Sequence, residues 1–435
     1  MGRFVEHPSW AIDMVQGRNL SGLVEALASK NTDVAREAAW GLGCLGDKKA
    51  VDPLMGATKQ KDADVRRCAA EALGLLSDRK AVKALLTLTE DREADVRGAS
   101  IWALGALGDP SAVPALVKAL ADDELYTDSY GEKEIIGWQA ASSLASLGAE
   151  AGKSLVAALK NKNPRVRANA ARALGYLESD SAIDPLLSLL DDKDREVKRA
   201  ALNALAAIRS PRAFDPVLSC LEDRHAEIRW SAVLALGQFA DTRATPRLLE
   251  HLKSDAEEVR YMVCGALSTL KDPRSVKPLI SVLAEGTRVS EGAARALGEI
   301  GDEAAVPHLV KLVDGFIKNA PLKASPKVVS KGKKPKPGTK PSRPAAKNGQ
   351  GADPQVVLSA ISSLGVMKAR GAMDSLARAL TAGREEVRAA AASALGNLGS
   401  ADAVKSLERS LLDSSKDVRA SAARALEMLT GRTYL

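Results

Sequence analysis

This sequence is poor in the residues from which catalytic and metal sites are usually built. Of its 435 residues only 3% are aromatic, four are cysteine and four are histidine. Cys44, Cys68, Cys220 and Cys264 form no CxxC pair. They are expected to be reduced, mostly buried thiols, which argues against a disulfide framework or a zinc site. His7, His225, His251 and His308 are scattered, with no HExxH among them, so no metal site is expected. There is no GxxxxGK[ST] phosphate loop and no GxSxG nucleophile elbow. No uninterrupted apolar run reaches the length of about 18 residues that a membrane-crossing helix needs. The opening MGRFVEHPSW has no apolar core of a secretory signal. These gaps predict a cytoplasmic chain with no catalytic residues, no cofactor, no metal and no membrane span.

The net charge of +7 is concentrated in one place. Residues 318–353 hold ten Lys and Arg against the single Asp353, a net of +9, which leaves −2 for the remainder. That segment is rich in Lys, Pro and Gly and nearly free of apolar side chains, so it is expected to be disordered. Its lysines, Lys331, Lys333, Lys334, Lys336 and Lys340 among them, are candidate contacts for a nucleic acid or another anionic surface.

What is present is a repeating phrase. VRRCAAEALGLLSD begins at Val65, VRGASIWALGALGD at Val96, VRANAARALGYLES at Val166 and VRAAAASALGNLGS at Val387. Twelve apolar anchors follow: Val34, Val65, Val96, Ile136, Val166, Val197, Ile228, Val259, Val289, Val356, Val387 and Val418. Seven intervals are 31 residues, two are 30, and two are longer, at 40 and 67. A fixed period of this length signals an array of supersecondary units that stack to bury a shared core.

Each unit reads as two helices. The first, helix A, has apolar residues at helical spacing, as at Val82, Leu85, Leu86 and Leu88, and often a proline in its first turn (Pro53, Pro114, Pro185, Pro216, Pro278, Pro307). Proline is tolerated there because the first N–H groups have no helical partner. The VR phrase is helix B. Counting its anchor as position 0, positions 0, 4, 7, 8 and 11 fall within about 100° and are expected to face helix A. Acids just before the anchor (Asp33, Asp64, Asp95, Glu196, Glu227, Glu258, Glu386, Asp417) complement the positive end of helix B. Gly46, Gly108, Gly148, Gly301 and Gly399 read as helix stops.

The pattern xAVxPLxxxL followed by DxxVRxxAAxALGxLGD resembles the HEAT-like repeats named after phycobilisome lyases. The resemblance implies an all-α fold: an α-solenoid of about twelve two-helix repeats in a right-handed superhelical arc, its B helices lining the concave face. It also implies a ladder in which Asp and Arg of successive repeats bond along one edge. That role passes to Arg66, Arg97, Arg167, Arg229, Arg260, Arg388 and Arg419, with Lys198 in the same column; Ala35, Gly137, Ser290 and Val357 interrupt it. Residues 1–17 are expected to cap the array. Residues 18–317 hold nine repeats and the A helix of the tenth, 318–353 the insertion, and 354–435 the rest of the same solenoid.

The long intervals are insertions between helix A and helix B, one around Asp122–Glu134, acidic with Tyr126 and Tyr130, the other the basic segment. Positions 2, 6, 9 and 13 of helix B are expected to face away from helix A. Two of these columns collect Trp40, Trp102, Trp138 and Trp230, four of the five tryptophans. Trp and Arg are favoured binding anchors, so these indoles, Tyr261 and the arginines Arg36, Arg67, Arg172 and Arg199 are candidate partner contacts. Trp10 is expected to cap the N-terminal end.

HEAT-like arrays mostly hold other macromolecules, so the expected function is a non-catalytic, monomeric scaffold for a protein partner. Two alternatives follow from relatives: a nucleic-acid groove like that of HEAT-like DNA glycosylases, or a bilin-lyase-like chaperone or lyase. A deoxyhypusine-hydroxylase-like iron site is excluded, because no His is followed by Glu.

Overall fold

A computed structural model describes residues 7–128, 131–319 and 353–434. The five insertion lysines and Tyr130 lie outside the described residues. Among the described residues the regular elements are helices, paired A and B as the phrase demands, apart from one two-stranded hairpin. The chain divides into two compact units, residues 1–223 and 224–435, a boundary inside the seventh repeat that the sequence periodicity does not mark.

In residues 1–223 a cap helix (Ser9–Gln16) precedes six A–B pairs and the seventh A helix. Most A helices are short, a single 3-10 turn leading into two α-helical turns, as in Lys48–Ala50 and Val51–Ala57. The LGD ending of the phrase explains the entry. Gly46 (φ 72°) closes helix B in the left-handed region, and Asp47 then accepts the Lys49 N–H to cap the next turn. Where the glycine is missing, Ser77, Glu178, Arg209, Ala240, Lys271 and Lys368 occupy positive φ instead.

Val65, Ala69, Leu73 and Leu76 of the second B helix (Ala63–Leu76) are buried, as are Val82, Leu85 and Leu88 of the following A helix. Each buried Leu contributes about 1.5–3 kcal/mol. The ALG glycine at position 9 does not face outward as the helical wheel predicts. A Cβ at Gly43 would sit 3.0 Å from Ala72 Cα, and one at Gly175 would sit 2.8 Å from Ala204 Cα. Position 9 of one B helix therefore meets position 7 of the next. Position 7 serves this helix–helix seam rather than only the seam to helix A. The outward face is correspondingly narrower than the expected four columns.

In residues 224–435 the same seam recurs, with Gly237 against Ala266 and Gly396 against Ala425. It also runs across the basic insertion. Gly298 of the ninth B helix (Arg288–Ile300) packs on Ser363 of the tenth (Pro354–Val366), and Ser363 Oγ donates to the Ala294 carbonyl at 2.9 Å. The A helix before the insertion extends from Val306 to Asn319 and so takes in the first two residues of the expected insertion.

The acidic insertion is ordered over its described residues. Leu125–Thr127 (β1) pairs antiparallel with Lys133–Ile135 (β2), Tyr126 opposite Glu134. The sequence periodicity gave no sign of these strands.

Candidate interaction surface

The ladder column supplies the frame. Arg66 Nη1 donates to the Gln60 and Lys61 carbonyls at 2.9 and 2.8 Å, in the loop that joins its own A and B helices. Its Nε and Nη2 grip Asp91 of the next repeat at 2.8 and 2.9 Å, a bidentate charge-assisted pair. Asp91 in turn accepts the Glu93 N–H. The same arrangement joins Arg97 to Asp122, Arg167 to Asp192 and Arg388 to Asp413. Arg229 pairs with Asp255 and Arg260 with Glu285, while Lys198 makes one contact to Asp223. Arg419, in the last repeat, keeps only its carbonyl bonds. The acid of each full rung lies four or five residues before the next anchor (fourteen for Asp122, across the hairpin), not next to it. Burial alone would raise the Asp91 and Asp255 carboxyls. Hydrogen bonds from their arginines and backbone N–H groups outweigh it, holding Asp91 below its ordinary value and Asp255 at about 2.

Where the ladder is interrupted, other groups serve the loop. Asn169 reaches over Gly137 and donates to the Leu120 carbonyl at 2.9 Å; a Cβ at Gly137 would lie 2.6 Å from its amide nitrogen. Ser290 Oγ donates to the Val282 carbonyl at 2.7 Å.

The candidate contacts fall into distinct environments. In residues 1–223 Trp40 is stacked by His7 at 3.6 Å, and His7 bonds Glu37 at 2.7 Å. Trp102 packs back on the preceding repeat, where a Cβ on Gly74 would come within 2.6 Å of the indole. Gly98 is covered by the hairpin: the Tyr126 ring occupies the space a Cβ would take, 2.2 Å away. Burial pushes the Tyr126 phenol up, and its hydroxyl donates to Gln139 at 2.9 Å. Thr127 N–H donates to Asp95 at 2.6 Å, so the hairpin is fastened across the third B helix (Ala94–Leu107).

Trp138 differs from these. It is 46% exposed, with the Arg172 guanidinium 4.7 Å from its ring. Tyr176, one turn beyond Arg172 on the same helix, is 60% exposed. Burial lowers the Arg172 pKa. All four candidate arginines here carry a carboxylate: Arg36 pairs with Glu37 and Asp33, Arg67 with Glu71 and Asp64, and Arg172 and Arg199 share Glu196.

In residues 224–435 Trp230 is half-buried. Tyr261 has Arg288 at 4.4 Å and Arg295 at 5.5 Å from its ring, and Arg295 donates to its hydroxyl at 2.7 Å. Among the described residues no carboxylate lies within ion-pairing distance of either guanidinium.

Burial raises the thiols of Cys68 and Cys264 to about 12 and that of Cys220 to about 11, so they remain protonated at neutral pH. Among the described residues no three His, Cys, Asp or Glu side chains gather as a metal site would require, and no helix is long and apolar enough to cross a membrane.

A model of HEAT repeats matches residues 20–92, 62–128, 152–228, 214–288, 257–315 and 346–427. The chain belongs to the HEAT-repeat family. Its all-α solenoid architecture has solved counterparts. A crystal structure of importin beta is 13% identical over 98% of this chain and 64% of its own, with a TM-score of 0.64. The Kap95–Nup1 complex is 13% identical over 96% and 62%, with a TM-score of 0.65. The HEAT-repeat chain described here thus spans less than two thirds of those structures. The CpcE–CpcF complex of phycocyanin lyase from Nostoc is 26% identical over 58% of this chain and 94% of that one, with a TM-score of 0.30. A comparison with curated proteins finds no match.

Three surface residues escape a search for Trp columns and Arg ladders. Tyr176 lies at position 10, four residues after Arg172. Arg288 stands where eight repeats have an acid before the anchor, and that reversal of charge was its signal. Arg295 sits in the same column as Arg172, one repeat after an aromatic at position 2.

Proposed function

We propose that this HEAT-repeat chain is a non-catalytic scaffold that holds a protein partner on the B-helix face of residues 1–223, centred on Trp138, Arg172 and Tyr176. The observation that carries the reading is the exposed Trp138 indole, 46% accessible beneath the Arg172 guanidinium, with the 60% exposed Tyr176 one turn beyond that arginine. Large aromatic faces left in water next to a desolvated arginine are the composition of interface hot spots. The paired state of Arg36, Arg67, Arg172 and Arg199 favours a protein over a nucleic acid, since each guanidinium already shares its charge with a carboxylate. Trp40 and Trp102, in the same unit, have packing partners and take flanking roles; Trp230 and Tyr261 belong to residues 224–435 and are not part of this surface.

The test is photo-crosslinking in extract from a photoreactive residue placed at Tyr176, with a second at Lys153 on an A helix as control. The reading expects a nuclease-resistant protein adduct from position 176, absent from position 153 and weakened about tenfold or more by Trp138→Ala. An adduct that nuclease destroys, or one formed equally from both positions, contradicts it.

A further inference from the structure

The two compact units carry the same side-chain set at one inter-repeat step. In residues 1–223 it is Trp138 at position 2 of one B helix, then Arg165 and Arg172 at positions −1 and 6 of the next. In residues 224–435 it is Tyr261, then Arg288 and Arg295, in the same three places. The difference is in what neutralises them. Arg165 is paired at 2.6 Å with Asp123, which stands on the non-helical segment leading into the acidic hairpin. Arg172 has Glu196, the residue before the next anchor, at 3.4 Å. In the second set the residue in Glu196's column is the neutral Gln355, and no acidic insertion precedes the ninth B helix. Arg288 and Arg295 are exposed, and the Tyr261 ring and hydroxyl hold both so that their guanidinium carbons lie within about 10 Å of each other. Arg288 is moreover the first residue of its helix, where the backbone dipole disfavours a cation and favours an anion. The acids nearest in sequence and contact leave this charge in place. Glu257 is engaged with the Arg288 backbone N–H at 3.1 Å, Glu285 with Arg260, and Glu291 pairs with neither arginine.

We propose that Arg288 and Arg295, racked on Tyr261, bind an acidic extended segment of a protein partner. Its carboxylates take the places that Asp123 and Glu196 fill in the first set. The chain itself thus supplies the chemistry of the ligand: carboxylates received by guanidinium groups, one (Asp123) from the non-helical segment before the hairpin and one (Glu196) from the first turn of a helix. This site is separate from the Trp138 surface and stands or falls without it.

The probe is a fluorescein-labelled hexaglutamate peptide added to the full chain, read by anisotropy, with hydrogen exchange to locate it. Binding should protect residues 257–264 and 287–297 from exchange. The dissociation constant should rise about tenfold or more in R288A/R295A, with no change in W138A/Y176A. R288K/R295K keeps the charge but loses the fork, and should fall between wild type and R288A/R295A. A hexaglutamine peptide should not bind. Protection confined to other segments, equal affinity in R288A/R295A, or protection of these segments by a single-stranded oligonucleotide but not by hexaglutamate would each overturn the proposal.

Discussion

Trp138 and Tyr261 occupy the same column of the same repeat phrase, yet their surroundings are opposite. Around Trp138 the arginines are satisfied by the chain's own acids, and the aromatic ring keeps half its surface in water. Around Tyr261 the ring is taken up by two arginines, and it is the cations that lack a counter-charge. One scaffold position therefore presents an exposed aromatic face in one unit and, in the other, two arginines without a carboxylate partner among the described residues. The switch is made by a few residues: an acidic insertion at Asp122–Glu134, and Glu196 against Gln355. In a repeat protein the frame is common, and function resides in departures from the repeat.

That contrast requires the ladder arginines to be structural and the column arginines not to be. Removing a ladder arginine should have the largest effect. Arg388 and Asp413 are both at least 95% buried, so Arg388→Ala takes the guanidinium from a buried carboxylate and costs about 3–5 kcal/mol of unfolding free energy. Arg295→Ala, at an exposed site, should stay within about 0.5 kcal/mol. Denaturant melts of the two variants check both; comparable losses would erase the distinction. Next in size is salt. Hexaglutamate binding to the Tyr261 site should weaken severalfold between about 50 and 200 mM salt, whereas partner binding at Trp138 should change little, as anisotropy in a salt series would show.

The ladder also fixes a pH response. Asp255 is held at about 2 when folded, below the value near 3.9 of an unfolded chain. A depressed carboxylate stabilises the fold fully above its unfolded pKa and loses that contribution as pH falls toward the folded one. Asp255→Asn should therefore lower Tm at pH 7, and its gap from wild type should close between about pH 5 and pH 2. The smallest effect is conformational. Ala240 sits at φ 53°, a region that costs a residue with a Cβ about 1 kcal/mol. Ala240→Gly should stabilise by about 0.5–1 kcal/mol, and Gly108→Ala, at φ 65°, should destabilise by a similar amount. Calorimetry resolves either shift.

The repeat count, the A–B pairing, the Gly46-type helix stops and the all-α class were legible in the sequence, because each follows from local periodicity and backbone preference. The pairing acid of the ladder was not. Asp64 and Asp91 look equally eligible, and only the stacking of one repeat on the next decides for Asp91. Helical periodicity assigned position 9 to the outward face, because a helical wheel knows one neighbouring helix and each B helix has several. The column of indoles was legible as a column but not as a site. Trp102 covers Gly74 and Trp40 lies under His7, so these two are packing residues while Trp138 is open. The hairpin's strands are three residues each, too short to leave a periodic trace. Its grip on Gly98 depends on a side chain from one repeat filling a missing Cβ in another.

The central claim is that two separable recognition surfaces stand on one frame. It is tested most directly by measuring two ligands, the protein crosslinked at position 176 and hexaglutamate, against wild type, W138A/Y176A and R288A/R295A. The account predicts a crossed result. W138A/Y176A loses the protein and keeps hexaglutamate at wild-type affinity, and R288A/R295A does the reverse. If either double variant loses both ligands while melting at the wild-type temperature, the surfaces are not separable and the account is contradicted.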